Sequence, residues 1–155
     1  MPKVSKIEIL KPREQHALTV RTTTKVENLP MLIGQTYDKM CKYVEEMGEY
    51  LTDVPYVAYY NMDMENLDVE MGFPVSKKLA DKEDMKSVII PEDYAIFCMY
   101  RGPYAEMGPV YEEMTKWIED NGYRPKMPVY EYYYNSPEVP ESELLTKILM
   151  PVEKA

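Results

Sequence analysis

Two cysteines and one histidine, Cys41, Cys98 and His16, are too few and too scattered across 155 residues to assemble a thiolate or imidazole metal site. No CxxC is present, so no metalloenzyme is expected, nor any metal or other cofactor. Only six glycines occur, and Arg101-Gly102-Pro103 lacks the repeated glycines and following Lys-Ser/Thr of a phosphate-cradling loop. No stretch approaches the roughly 20 apolar residues needed to span a bilayer. The N-terminal MPKVSKIEIL has neither a long apolar core nor a small-residue cleavage site. A cytoplasmic protein with reduced thiols is the resulting expectation.

Phenylalanine and tryptophan are also scarce, at two and one, whereas tyrosine reaches fifteen and methionine thirteen. Much of the large apolar surface therefore carries a phenolic tip or a flexible thioether, which suits adaptable binding as well as core filling. Asp and Glu outnumber Lys and Arg by 27 to 18, a net charge of −9. Such a surface repels phosphate backbones and anionic membranes, so neither nucleic acid nor a membrane is an expected partner. A hydrophobic content of 45% with 29% charged residues is a globular balance, and the length suits one domain.

Helical periodicity is clearest twice. Ile33, Tyr37, Met40, Val44 and Met47 line one face of a helix near 30–47. Met107, Tyr111, Met114 and Ile118 do the same near 105–121, with Trp117 on the flank and Asn121-Gly122 as the stop. Elsewhere the period is two, as in Leu67, Val69, Met71, Phe73 and Val75. Further strands read at about 4–10, 16–24, 55–61, 86–90, 94–101, 128–135 and 144–152. The order is ββαββ, twice. Paired motifs agree: Tyr56-Val57-Ala58-Tyr59-Tyr60-Asn61 parallels Tyr130-Glu131-Tyr132-Tyr133-Tyr134-Asn135, and Gly72-Phe73-Pro74-Val75 parallels Leu149-Met150-Pro151-Val152. A single domain over 1–155 is expected, built of two pseudo-symmetric hairpin–helix–hairpin repeats at about 4–75 and 87–152.

The most unusual segment is Pro128-Val129-Tyr130-Glu131-Tyr132-Tyr133-Tyr134. Alternation puts Glu131 and Tyr133 on one strand face and Tyr130, Tyr132 and Tyr134 on the other. If the Glu131 face is solvent, the residue is the polar half of an ordinary strand. If it is inward, a carboxylate among tyrosines is costly unless paired, and a cationic ligand or acid–base chemistry would supply its use. Two-residue spacing places the Glu131 and Tyr133 bases roughly 6–7 Å apart, room for one water. Glu70 alternates with apolar neighbours and reads as solvent-facing, and His16 as an exposed residue near a turn.

The second half resembles the GyrI-like family, the effector-binding domain of AraC-type and BmrR-type regulators. The resemblance is carried by Ile90-Pro91 before Tyr94-Ala95-Ile96-Phe97, by Arg101-Gly102-Pro103-Tyr104, and by Trp117-Ile118 with Gly122-Tyr123-Arg124-Pro125. Glu131-Tyr132 before Asn135-Ser136-Pro137, and Leu144 to Val152, complete it, while Val69 to Val75 in the first half is similar to the family's end-of-repeat motif. Asn135-Ser136-Pro137 departs from the family, which usually places an acidic residue before that proline. The resemblance implies an α+β fold of duplicated strand–helix–strand–strand units, a curved antiparallel sheet with two helices, and a ligand cleft with Glu131 at its base. Glu131 is thereby the leading ligand-binding candidate; Tyr133 joins it by sharing its strand face, also as the candidate catalytic pair, Tyr59 as the repeat counterpart of Tyr133, and Trp117, Phe97 and Tyr104 as aromatic residues for which a core role is the alternative.

Three functions compete. One is a stand-alone domain that binds or sequesters a small lipophilic, planar or cationic molecule, since the two repeats consume the chain and leave no helix-turn-helix module. The second, implied by stand-alone family members, is metal-free hydrolysis of cyclopropane-bearing genotoxins with Glu131 as general base. The third is contact with a protein partner, as in gyrase-inhibiting members, through the acidic exterior.

Overall fold

A computed structural model describes residues 3–135 and 138–155. Ser136 and Pro137, where the sequence departs from the family motif, lie outside the described residues. The chain divides into two compact units, Arg13–Glu92 on one hand and the residues up to Pro12 together with Asp93–Ala155 on the other.

In the unit Arg13–Glu92, strands β2 (Gln15–Thr24), β3 (Tyr56–Tyr59), β4 (Leu67–Val75) and β5 (Lys86–Ile90) lie in the order β3-β4-β2-β5, all antiparallel. Helix α1 (Leu29–Glu46) packs against β4 and β2. Its buried residues are Leu29, Thr36, Met40, Tyr43 and Val44. Ile33 and Tyr37 are only half-buried, and Met47 falls just past the helix end, exposed. The expected stripe therefore continues through Tyr43 and Val44, because the helix has ended before Met47 can reach the sheet.

The other unit contains β1 (Glu8–Leu10), β6 (Ala95–Arg101), β7 (Tyr123–Pro125), β8 (Val129–Tyr133) and β9 (Leu145–Lys154), with α2 at Gly108–Asp120. Its order is β8-β9-β6-β1, and β7 pairs with the far end of β9. Helix α2 contributes Val110, Met114 and Ile118, each 1% exposed or less, to a core with Ile96, Cys98, Tyr100, Ile148 and Met150. Full burial of each of these large apolar side chains stabilises the unit by about 1.5–3 kcal/mol. Cys98 belongs to this core: burial pushes its thiol up to about 11. It is packing material there rather than a nucleophile.

The antiparallel α+β class expected from the sequence is the one observed, and the two units share one strand order. One connection differs from expectation. The first two strands of each repeat do not form a hairpin: β1 pairs with β6, and β2 pairs with β5. A bridge at Lys3 to Tyr100 and the Ser5 hydroxyl accepting from the Met99 amide at 2.7 Å extend the β1 pairing back along β6. The connectors at Pro12 and Pro91 carry none of the Asn-Gly or Asp-Gly chemistry that closes tight hairpins. The strand β7 has no counterpart in the expected ββαββ pattern: three residues are too short to show a period.

A candidate ligand site around Glu131

Cross-strand register decides which face of β8 Glu131 occupies. Glu131 pairs with Ile148 and Ile148 with Cys98, so all three point toward α2. Tyr133 pairs with Thr146 and Thr146 with Tyr100 on the same face. Tyr130 and Tyr132 take the opposite face, with rings stacked at 6.2 Å and the Lys147 ammonium 4.5 Å from the Tyr132 ring. Glu131 is only 9% exposed. The inward alternative holds.

A carboxylate at that depth requires partners. The Tyr111 hydroxyl on α2 donates to Oε2, and the Tyr133 hydroxyl donates to Oε1 at 2.8 Å. Among the described residues no Lys or Arg forms an ion pair with Glu131. Burial pushes the Glu131 carboxyl above the usual carboxylate range, and the two tyrosine hydrogen bonds oppose that rise without cancelling it. The direct Tyr133–Glu131 bond also corrects one expectation: no gap for a water separates the pair. The Tyr133 side chain is long enough to lean along its own strand and close it.

Tyr104 completes the cluster. Its ring meets Tyr133 edge-on with centroids 5.4 Å apart, and its phenol is raised by burial and by the negative field of Glu131. A sharp turn delivers it. Gly102 has φ +141, its amide donates to the Leu144 carbonyl at 2.8 Å, and the Tyr100 hydroxyl donates to the Pro103 carbonyl at 2.5 Å. A Cβ on Gly102 would lie 2.9 Å from the Tyr100 hydroxyl, in a backbone conformation that side-chain-bearing residues avoid. Gly102→Ala is therefore expected to cost about 1–3 kcal/mol of stability, and to shift the Tyr104 ring off Tyr133. Chemical denaturation and the near-ultraviolet tyrosine dichroism would measure the two effects.

Of the candidates read from sequence, Glu131, Tyr133 and Tyr104 come together. Phe97 does not: it pairs with Leu149, which pairs with Tyr130, so it lies on the sheet face away from α2 and Glu131. Trp117 does not either. It stacks on Tyr123 with centroids 6.3 Å apart, and lines a shallow open groove of about 340 Å³ with Lys3, Lys6, Ile7, Glu113, Lys116 and Asp120. Six residues separate it from Tyr111, which turns it to another side of α2. Tyr59 lies in the unit Arg13–Glu92, half-buried on β3 opposite Val69.

That unit carries an uncharged version of the same arrangement. The positions 74 residues before Tyr111, Glu131 and Tyr133 are Tyr37, Val57 and Tyr59. With valine in place of the glutamate, the Tyr37 hydroxyl donates to the Tyr56 carbonyl instead. Burial, and then proximity to Tyr59, raise the Tyr37 phenol. Glu70, expected in solvent, is half-buried with the Tyr56 hydroxyl 3.4 Å away, and burial raises its carboxyl too. Arg21 stands opposite Glu70 but stacks on Tyr60 and pairs bidentately with Asp68. His16, expected exposed near a turn, is half-buried at the second residue of β2. The residue that sequence reasoning missed is Tyr111. Its signal was a phenol in an otherwise aliphatic helix stripe, because a buried hydroxyl needs a polar partner across the interface.

Comparison with solved structures gives likeness over nearly the whole chain. EcmrR in its complex with DNA matches with TM-score 0.84 at 22% identity over 97% of this chain, which spans 58% of that one. The EcmrR C-terminal domain alone matches with TM-score 0.82 at 23% identity, covering 98% of this chain and 99% of that one. A hydrolase from Listeria innocua (TM-score 0.69, 18% identity, 99% of this chain and 94% of that one) is also similar. So is SAV2435 bound to tetraphenylphosphonium (TM-score 0.61, 12% identity, 96% and 94%). A search of curated protein sequences finds no match. The model of the GyrI-like small molecule binding domain matches residues 5–153, and the chain belongs to that family.

Proposed function

We propose that this protein binds lipophilic cations, with Glu131 as the counter-charge and Tyr104, Tyr111 and Tyr133 as the aromatic surround. The observation that carries this reading is a carboxylate 9% exposed whose oxygens are held by two tyrosine hydroxyls and, among the described residues, by no cationic side chain. Such a group is satisfied in hydrogen bonding yet uncompensated in charge. A delocalised cation supplies that charge with a small desolvation cost of its own, and tyrosine faces attract it further. SAV2435, which shares the fold, is bound to just such a cation. The net charge of −9 draws cations toward the surface. Hydrolysis by the same pair would need a water held between Glu131 and Tyr133, and the Tyr133 hydroxyl bonds Glu131 directly, so binding is the reading we favour.

Titrating the protein with tetraphenylphosphonium and with a neutral triarylphosphine oxide tests it. Near neutral pH the cation should bind at least about tenfold more tightly, a difference of about 1.4 kcal/mol. Because burial raises the Glu131 carboxyl above 4.5, protonation removes the counter-charge earlier than for an ordinary glutamate. Cation affinity should therefore be full above the raised value and fall as pH drops through it, while affinity for the neutral compound stays flat. Equal, pH-independent binding of the two compounds would reject the proposal.

A further inference from the structure

Resting on the reading of Glu131 as a cation site, we propose that Thr146 sets which cations the site prefers: those carrying an N–H donor over fully substituted onium ions. Thr146 is 0% exposed, and its hydroxyl has no hydrogen-bond partner among the described residues. It lies on the α2-facing side of β9, directly opposite Tyr133 on β8 and Tyr100 on β6. Cross-strand neighbours of this kind have Cβ atoms about 4.5–5.5 Å apart, and Glu131 is its diagonal neighbour at about 7–8 Å. The hydroxyls flanking it are directed elsewhere, Tyr100 to the Pro103 carbonyl and Tyr133 to Glu131. The threonine thus holds an unused acceptor one row from the counter-charge, opposite Tyr133.

A ligand N–H directed into this row meets the Thr146 hydroxyl, an acceptor that no group among the described residues uses. A protonated amine can donate to it while its positive charge faces Glu131. A quaternary ammonium or phosphonium has no hydrogen to offer, and leaves the threonine unpaired. The Tyr104 ring that meets Tyr133 is 47% exposed, the side from which a ligand would reach the row.

Isothermal titration with benzyldimethylammonium and benzyltrimethylammonium, which differ by one methyl in place of N–H, tests the inference on the full chain. The ratio of their affinities in wild type should exceed the ratio in Thr146→Val by about tenfold, the worth of one charge-assisted hydrogen bond. Thr146→Ser should keep the wild-type ratio. Valine matches threonine in shape and removes the orphan hydroxyl, so its melting temperature should not fall. Equal ratios in wild type and Thr146→Val would overturn the role of Thr146, even where both cations bind in a Glu131-dependent way. Failure of both cations to bind, with Glu131→Gln without effect, would instead overturn the underlying cation site.

Discussion

Glu131→Gln should weaken binding of tetraphenylphosphonium by about 10–100-fold while making the ligand-free protein more stable at neutral pH. The first effect is the loss of an ion pair in a water-poor site, where charge-assisted contacts are worth about 1.5–3 kcal/mol. The second follows from the sign of the carboxyl shift. Burial holds the folded-state pKa above its unfolded value, so the folded state favours the protonated form. The stabilising contribution of that form is fully present below the unfolded pKa and is lost as pH rises through the folded one. At neutral pH the ionised carboxylate is therefore a cost, about 1.4 kcal/mol for each unit of rise. Glutamine resembles the protonated acid and escapes it. Melting temperatures of the two proteins should differ at neutral pH, with the mutant higher, and converge below about pH 4, the range of unfolded glutamate. A mutant that melts below wild type at neutral pH, or binds the cation as tightly, would show that Glu131 is a structural residue. Such a cost would fit the general trade between stability and function.

The second large effect is expected at Gly72, in the unit Arg13–Glu92. A Cβ there would meet the Tyr56 ring tip at 2.7 Å and the Thr19 methyl at 2.9 Å. Tyr56 is 0% exposed, so its ring has no solvent-filled space to retreat into. Its hydroxyl also lies 3.4 Å from Glu70. Gly72→Ala should cost about 2–3 kcal/mol, the scale of overpacking a filled core. In a double-mutant cycle with Tyr56→Ala the two penalties should be less than additive, because deleting the ring removes the tighter contact and leaves only the Thr19 methyl. A Gly72→Ala protein with an unchanged denaturation midpoint would show that the sheet yields at this point. Because Gly72 lies in the unit that does not contain Glu131, cation affinity of the folded mutant should be close to wild type.

How much of this was legible beforehand varies with the physics of each element. The strands Leu67–Val75 and Lys86–Ile90 were read with their observed bounds, because an alternating or short apolar run between turn residues is a local property of the chain. Both helices were placed to within a few residues for the same reason. The pairing of β1 with β6 was not legible, since periodicity says that a residue run is a strand and says nothing about which edge it joins. For Phe97, a candidate only as an aromatic residue, the strand pattern gives parity within β6 but not parity relative to β8.

The site divides in the same way. Sequence alone determined that Glu131 and Tyr133 share a face, that their strand is dense in tyrosine, and that the chain offers no cluster of metal ligands or phosphate loop to compete with them. Only the tertiary structure decided that the shared face turns toward α2, because solvent and core are defined by what packs on a sheet and not by the sheet itself. It also decided that Tyr111, a stripe residue by its spacing, aims its hydroxyl at Glu131 across the helix–sheet interface, and that Thr146 is left without a partner beside them. Those contacts join residues 20 and 15 positions from Glu131, and no local pattern encodes them: hydrogen-bond geometry is set only when the helix has docked.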